Sequence, residues 1–297
     1  MFDLDAYLER IGLSGRPGIA EVHRAQVTSI PFENLDPYCG LPVSLAVPDL
    51  ERKLIVGRRG GYCFELNMLL KAALEAVGAR VDLLLARSRV GSRAGVPRPR
   101  THLVLRVCAE DAVWHADVGF GLGGLLDPLP FGPGTEHAQS GWRFRIVEEQ
   151  REFVLQTAQE GEWVDIYGFP PEPVPLVDVE TSNWFTSTYP GSPFLTGLIV
   201  NAQANDGSRV LLSDWNRHNG LVLREQVPTR DTITPIQRDA VPQLLATRFG
   251  LPGYTLTRES YLVPVQPALA SGARSQPPNG GLTLHRQLAS RGREGGW

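Results

Sequence analysis

The sequence has no surplus of positive charge, no paired cysteines and no apolar run of membrane-spanning length, and each absence removes a class of function. Lys and Arg total 29 against 32 Asp and Glu, a formal net charge of -3, so neither a nucleic acid backbone nor an anionic lipid surface meets a matching basic face. Small molecules or other proteins are the expected partners. The three cysteines, Cys39, Cys63 and Cys108, are odd in number and form no CxxC pair, which argues against a disulfide framework and a zinc ribbon. Free thiols and no bound metal are expected. No stretch reaches the roughly 20 apolar residues of a spanning helix, and the opening MFDLDAYLERIGL carries acid where a secretory signal carries base. A cytoplasmic location follows as an expectation, with a homodimer left open.

What is present is ordinary for a globular chain: 297 residues, 42% hydrophobic and 21% charged, enough for two or three packed units. The first eighty residues have helical spacing, with Leu4, Tyr7, Leu8 and Ile11 on one face and Ile19, Val22, Gln26 and Val27 continuing it. A further helix starts near Cys63, with Leu66, Leu69, Leu70, Ala73 and Val77 on one stripe and Gly78 placed to end it in the left-handed conformation.

From Arg80 the pattern changes to short β-like runs between turn residues: RVDLLLAR, THLVLRVC, AVWHADVGF, WRFRIVEE, REFVLQTA and EWVDIYGF. Their spacing predicts a small barrel or a strongly curled antiparallel sheet. FPPEPVPLVDV, residues 169–179, reads as an extended connector because proline cannot sit in a central strand. Beyond it, FLTGLIVNAQ and SRVLLSDW flank a hairpin turn at Asn205, Asp206 and Gly207, and a helix from about Asp239 to Arg248 buries Val241, Leu244, Leu245 and Phe249. An α+β chain results, divided as 1–79, 80–181, 182–265 and a flexible tail over 266–297 with at most a short helix around LTLHRQLA.

Chemistry concentrates around RRGGYCFELN. A thiol at a helix N-terminus faces orphan N–H groups and the positive end of the dipole, both of which favour thiolate. Gly60 and Gly61 would permit a sharp turn and close approach of a substrate carbonyl; the ordinary alternative is a packed, inert cysteine. A nucleophile needs a base, and the base an orienting group. His102 and Asp117 lie on adjacent runs around a short polar turn. A loop of Ala109 and Glu110 sets His102 opposite Asp117, and a loop moved on by one sets Val104 opposite Asp117. Both registers leave His102 and Asp117 on one face. His115 shares that face, so spacing alone does not choose between the histidines. His23, His137, His218 and His285 have no acid placed beside them and read as solvated or structural. The glycine loop after Asp117 lacks a P-loop lysine and is a weak phosphate signal. Glu33, in the apolar stretch IPFENL, wants a partner, and Arg59 is the candidate.

RGGYCFELN, IPFENLDP, THLVLRV, DVGFG and SNWFTSTYPGSPF, in order over roughly the first 250 residues, resemble the bacterial arylamine N-acetyltransferases. The resemblance implies a helical bundle, a β-barrel and an α/β lid on a cysteine-protease-like core. It implies a Cys63, His102, Asp117 triad, and so selects His102. It also implies acetyl-CoA as cosubstrate, with Thr101, Gly119, Phe120, Gly121 and Phe194 at positions lining the cofactor and acceptor cleft. The implied reaction is ping-pong acetyl transfer through an acetyl-cysteine to arylamines, arylhydrazines or N-hydroxyarylamines. The loop GLGGLLDPLPF and the tail after Gln266 depart from the family pattern. The alternatives are an amide synthase that closes a macrolactam in polyketide biosynthesis, and a thiol hydrolase.

Overall fold

The computed structural model describes residues 2–92, 98–109, 111–214 and 220–265. The expected tail, its short helix, and His218 and His285 lie outside the described residues.

The helical spacing of the N-terminal residues folds as read. α1 (Leu4–Arg10) and α2 (Ile19–Ser29) turn Tyr7, Leu8, Ile11, Val22 and Val27 into a common core. β1 (Phe32–Glu33), α3 (Leu35–Tyr38) and α4 (Val47–Leu50), which runs on as a π-helical stretch over Glu51–Val56, lead to α5 (Cys63–Ala76). α5 buries Leu66, Leu69, Leu70 and Ala73, and Gly78 follows it with φ +93°. Val77 does not join the stripe: it is the C-cap, past the last helical turn, and is 48% exposed.

The β-rich stretch forms one eight-stranded, barrel-like antiparallel sheet. Its strands are β2 (Arg80–Ser88), β3 (His102–Ala109), β4 (Ala112–Ala116), β5 (Leu129–Pro130), β6 (His137–Gln139), β7 (Trp142–Glu149), β8 (Glu152–Gln159) and β9 (Glu162–Phe169), in the order β5-β4-β3-β2-β9-β8-β7-β6. β2 and β3 are covered on both sides, which explains their nearly continuous apolar runs. Leu83, Leu85, Leu103, Leu105 and Val107 pack into the helical core with α5, whereas Leu84, Ala86 and Val104 face the barrel interior with Phe144, Leu155, Tyr167 and Phe169. Ala109 pairs with Ala112 and Leu105 with Ala116, the second of the two registers. β5 and β6 are too short to carry an alternation, and no sequence pattern announces them.

The connector reading of 169–179 is corrected at its end. α6 (Leu176–Thr188) begins directly after Pro175, which caps it, and no proline interrupts the chain from Leu176 to Tyr189. α7 (Pro193–Thr196) follows. A second sheet then comprises β10 (Ile199–Gln203), β11 (Arg209–Ser213), β12 (Val222–Val227) and β13 (Arg230–Pro235), packed against α8 (Val241–Arg248) through Val200, Leu212, Leu223, Leu245 and Phe249. β14 (Tyr254–Leu256) and β15 (Leu262–Pro264) form a small hairpin.

This second sheet reaches back to the N-terminal residues. β1 pairs with β10, Phe32 opposite Asn201 and Glu33 opposite Val200, and Gly61 makes an isolated parallel bridge to Phe32. Asn34 fastens the junction: its amide donates to the carbonyls of Phe194 and Gly197 and its Oδ1 accepts from the Ile199 N–H at 2.8 Å. The segment just before Cys63 is therefore hydrogen-bonded to the edge of the C-terminal sheet.

Behind that segment lies an ion network larger than the expected pair. Arg59 bonds Glu33 Oε1 at 2.6 Å and Asp36 Oδ1 at 2.7 Å, and Lys53 Nζ sits 2.7 Å from both Asp36 and Glu65. Buried charges are tolerated when paired on all sides. Burial pushes the Glu65 carboxyl up to about 7 against the pull of Lys53, so three acids and two bases come near balance at neutral pH. Glu65 Oε2 also accepts the Tyr62 N–H, one of the donors that the helix start would otherwise leave orphaned.

Gly60 and Gly61 serve this packing and not the approach of a substrate, which corrects the expectation. A Cβ on Gly60 would lie 2.2 Å from the Pro31 carbonyl oxygen, and one on Gly61 would lie 2.9 Å from Glu65 Oε2. Gly60→Ala is expected to cost about 3 kcal/mol in urea denaturation, because backbone must shift to admit the methyl. Gly134→Ala, where a Cβ meets nothing within 4 Å, should stay within about 0.5 kcal/mol of wild type.

Candidate active site

Cys63 is the first residue of α5 and is 3% exposed. Its Sγ lies 3.7 Å from the Thr101 carbonyl oxygen, so the start of β3 abuts the sulfur. His102 is the next residue, 5% exposed, and shares a strand face with Val104 of the barrel interior. Its Nε2 is 2.7 Å from Asp117 Oδ2. The ring also interacts with Cys63, and with Nε2 occupied by the carboxylate, Nδ1 is the nitrogen left for sulfur.

Asp117 follows the last residue of β4 and is 1% exposed. Burial alone would force a proton onto it, yet donors meet it from several elements. Oδ1 accepts from the Asn67 amide at 2.9 Å and from the Gly119 N–H at 2.9 Å, Oδ2 faces His102, and the Tyr167 hydroxyl interacts with the carboxylate. Burial raises its pKa, but the His102 charge and these hydrogen bonds prevail and hold it well below the ordinary carboxylate range. The converse holds for His102: burial disfavours its charge, yet Asp117 and then Cys63 outweigh burial and push it up to about 10. At neutral pH the ring is an imidazolium beside the Cys63 sulfur.

The other residues singled out in the sequence gather around this core. Gly119 lies against the helix start, where a Cβ would be 2.7 Å from Cys63 Cα. Phe120 stands edge-on to the His102 ring at 5.1 Å between centroids. Gly121, with φ +78°, sits where a Cβ would touch the Phe32 ring, and Phe194 lies 5.8 Å from the Tyr62 ring. His115 is not at the sulfur: its Nε2 pairs with the Tyr167 hydroxyl and its ring stacks on Phe169.

Three residues of the site escaped the sequence reading. Asn67 is one helical turn beyond Cys63, a spacing that could have revealed it; besides Asp117 it bonds the Leu103 carbonyl and accepts the Val118 N–H. Tyr167 arrives through the β2 and β9 pairing, which no local signal announces. His23, read as solvated or structural, is fully buried: its Nε2 accepts the Asp117 backbone N–H at 3.1 Å while its Nδ1 donates to the Leu126 carbonyl at 2.9 Å. Both bonds fix it as a neutral ring. Among the described residues no group of three or more His, Cys, Asp or Glu is placed to hold a metal ion, and no helix is long and apolar enough to cross a membrane.

Comparison with known proteins places this geometry among relatives. A family profile described as N-acetyltransferase matches residues 18–254. The chain is 40% identical over 223 residues to an arylamine N-acetyltransferase of Mycolicibacterium smegmatis, covering 72% of this chain and 81% of that one. It is 33% identical over 256 residues to the arylamine N-acetyltransferase / N-hydroxyarylamine O-acetyltransferase of Salmonella typhimurium, covering 84% and 88%. The structure of Mycobacterium marinum arylamine N-acetyltransferase in complex with CoA superposes with a TM-score of 0.78 at 33% identity, over 84% of this chain and 93% of that one.

The raised pKa of His102 has a pH signature. A group whose folded pKa exceeds its unfolded value near 6.5 stabilises the fold fully below 6.5 and loses that contribution as pH rises through about 10. The difference in unfolding free energy between wild type and His102→Gln is therefore expected to shrink steadily from pH 6.5 to pH 10 in urea titrations. A pH-independent difference would refute the charged pair.

Proposed function

Because the chain belongs to the arylamine N-acetyltransferase family, we propose that it transfers an acetyl group from acetyl-CoA to arylamines, arylhydrazines or N-hydroxyarylamines in a ping-pong reaction through acetylated Cys63. The observation that carries this proposal is the unbroken contact series from the Cys63 sulfur through His102 to Asp117 at a helix N-terminus. A cytoplasmic site of action accompanies it.

In the first half-reaction the Cys63 thiolate, paired with the His102 imidazolium, adds to the thioester carbonyl. The C–S bond to coenzyme A then breaks, His102 gives its proton to the departing thiolate, and acetyl-Cys63 remains. Orphan N–H groups of the first turn of α5 are assigned as donors for the oxyanion. Thr101, whose carbonyl oxygen lies 3.7 Å from the sulfur, Gly119, Phe120, Gly121 and Phe194 are assigned to the donor and the incoming acceptor.

Acetylation removes the thiolate that helped to hold the proton on His102, so the ring is then less basic and able to act as base. The amine attacks the thioester, His102 takes the amine proton, and Cys63 leaves as thiolate, closing the cycle with an amide as product. Asp117 holds Nε2 throughout and keeps Nδ1 directed at the chemistry.

Intact mass after incubation with acetyl-CoA alone should show one added acetyl group, absent in Cys63→Ser and cleared by an aromatic amine or hydrazine. Loss of the acetyl group to water at the same rate without amine would indicate a hydrolase. A Cys63 that is alkylated readily but never acetylated would indicate a different acyl donor, as in an amide synthase.

A further inference from the structure

His115 is fully buried in β4, two residues before Asp117, yet it makes no direct bond to that carboxylate. Its ring stacks on Phe169 with centroids 4.7 Å apart and 11° between planes. Nε2 lies 2.7 Å from the Tyr167 oxygen, and Nδ1 has no partner among the described residues. The Tyr167 hydroxyl in turn interacts with the Asp117 carboxylate.

The proton between His115 and Tyr167 can sit on either side, and the surroundings decide. If Tyr167 donated to Nε2, the neutral ring would carry its own proton on Nδ1, a buried donor with no acceptor, and Asp117 would face a phenol oxygen with nothing to give. If Nε2–H donates to the Tyr167 oxygen, the phenol proton is free for the carboxylate, and the only unmet group is a lone pair on Nδ1. An unmet acceptor costs less than an unmet donor, and the bond to the carboxylate is charge-assisted. Burial holds the ring down to about 4, so it is neutral near pH 7. The charged and titratable groups facing it are Asp117, His102, His23 and Tyr167; His102 faces Asp117 and Cys63.

We propose that His115, as the Nε2–H tautomer, is a positioning residue that fixes the Tyr167 hydroxyl so that its proton points at Asp117. Donation into the Tyr167 oxygen makes the phenol a stronger donor, which draws charge from Asp117 and tempers its hold on the His102 proton. Two histidines on adjacent strands of one sheet thus take separate parts, His102 at the sulfur and His115 behind the aspartate. The proposal rests on the triad reading above.

The test is the pH dependence of Cys63 alkylation by iodoacetamide. In His115→Phe, which keeps an aromatic ring over Phe169, the alkaline limb should move upward by about half a pH unit. His115→Gln, with an amide N–H near the Nε2 position, should return it to the wild-type value. In a Tyr167→Phe background, His115→Phe should add no further shift, because its influence runs through the hydroxyl. An unmoved limb in folded His115→Phe, or an equal shift without the Tyr167 hydroxyl, overturns the proposal. Nitrogen-15 spectroscopy of the wild-type histidine rings needs no variant: Nε2–H on a neutral His115 supports the assignment, and Nδ1–H or a charged ring near pH 7 overturns it. His102→Gln separates the premise, since wild-type pH dependence in that variant refutes the triad while the tautomer measurement still judges His115.

Discussion

A carboxylate buried among apolar strands must be met by donors on every side, and Asp117 makes the architecture answer to that need. Its partners come from separate elements: His102 from β3, Asn67 from α5, Tyr167 from β9 and the Gly119 N–H from the loop beyond, while His23 from α2 accepts its backbone N–H. The helical bundle and the barrel therefore meet at a charge as well as at the apolar seam of Leu83, Leu85, Leu103 and Leu105 against α5. An apolar seam tolerates sliding by fractions of an ångström. Hydrogen bonds to a buried anion do not, so the distance from helix to strand at the sulfur is set by Asp117.

Much of this was legible in the sequence because it was written in periods. Helical spacing located α1, α2 and α5, and alternation with turn residues located six of the barrel strands. Parity placed His102, His115 and Asp117 on one face in either register. What parity could not do was rank two histidines that differ only in their non-local neighbours. His115 is drawn away by Tyr167 and Phe169, which come from β9 some fifty residues later. The same limit hid His23 and Tyr167, whose partners are set by tertiary pairing alone. Asn67 was within reach of helical spacing, and the proline-bounded start of α6 was masked by the prolines just before it.

The glycines next to Cys63 show how a correct local signal can carry the wrong cause. Two glycines before a helix suggest room for a ligand, yet the space at Gly60 and Gly61 is filled by the Pro31 carbonyl, Glu33 and Glu65. The loop is pressed onto the ion network of Glu33, Asp36, Lys53, Arg59 and Glu65 from one side, and Gly119 lies against Cys63 Cα from the other. Cys63 is clamped between two close backbone approaches, so the sulfur is held by main chain and not by its own short side chain.

The pairing of β1 with β10 also sets a timetable for biosynthesis. Asn34 and Ile199, whose side chain and backbone join at that seam, are 165 residues apart in the chain. At typical bacterial and eukaryotic elongation rates the second arrives roughly 8 to 30 s after the first. Throughout that interval the nascent chain holds the thiol, and later the histidine and aspartate, without the sheet edge that fastens the loop ahead of Cys63. Fastening of the loop ahead of Cys63 is thus a late event in synthesis, completed only once residue 199 of the 297 has emerged.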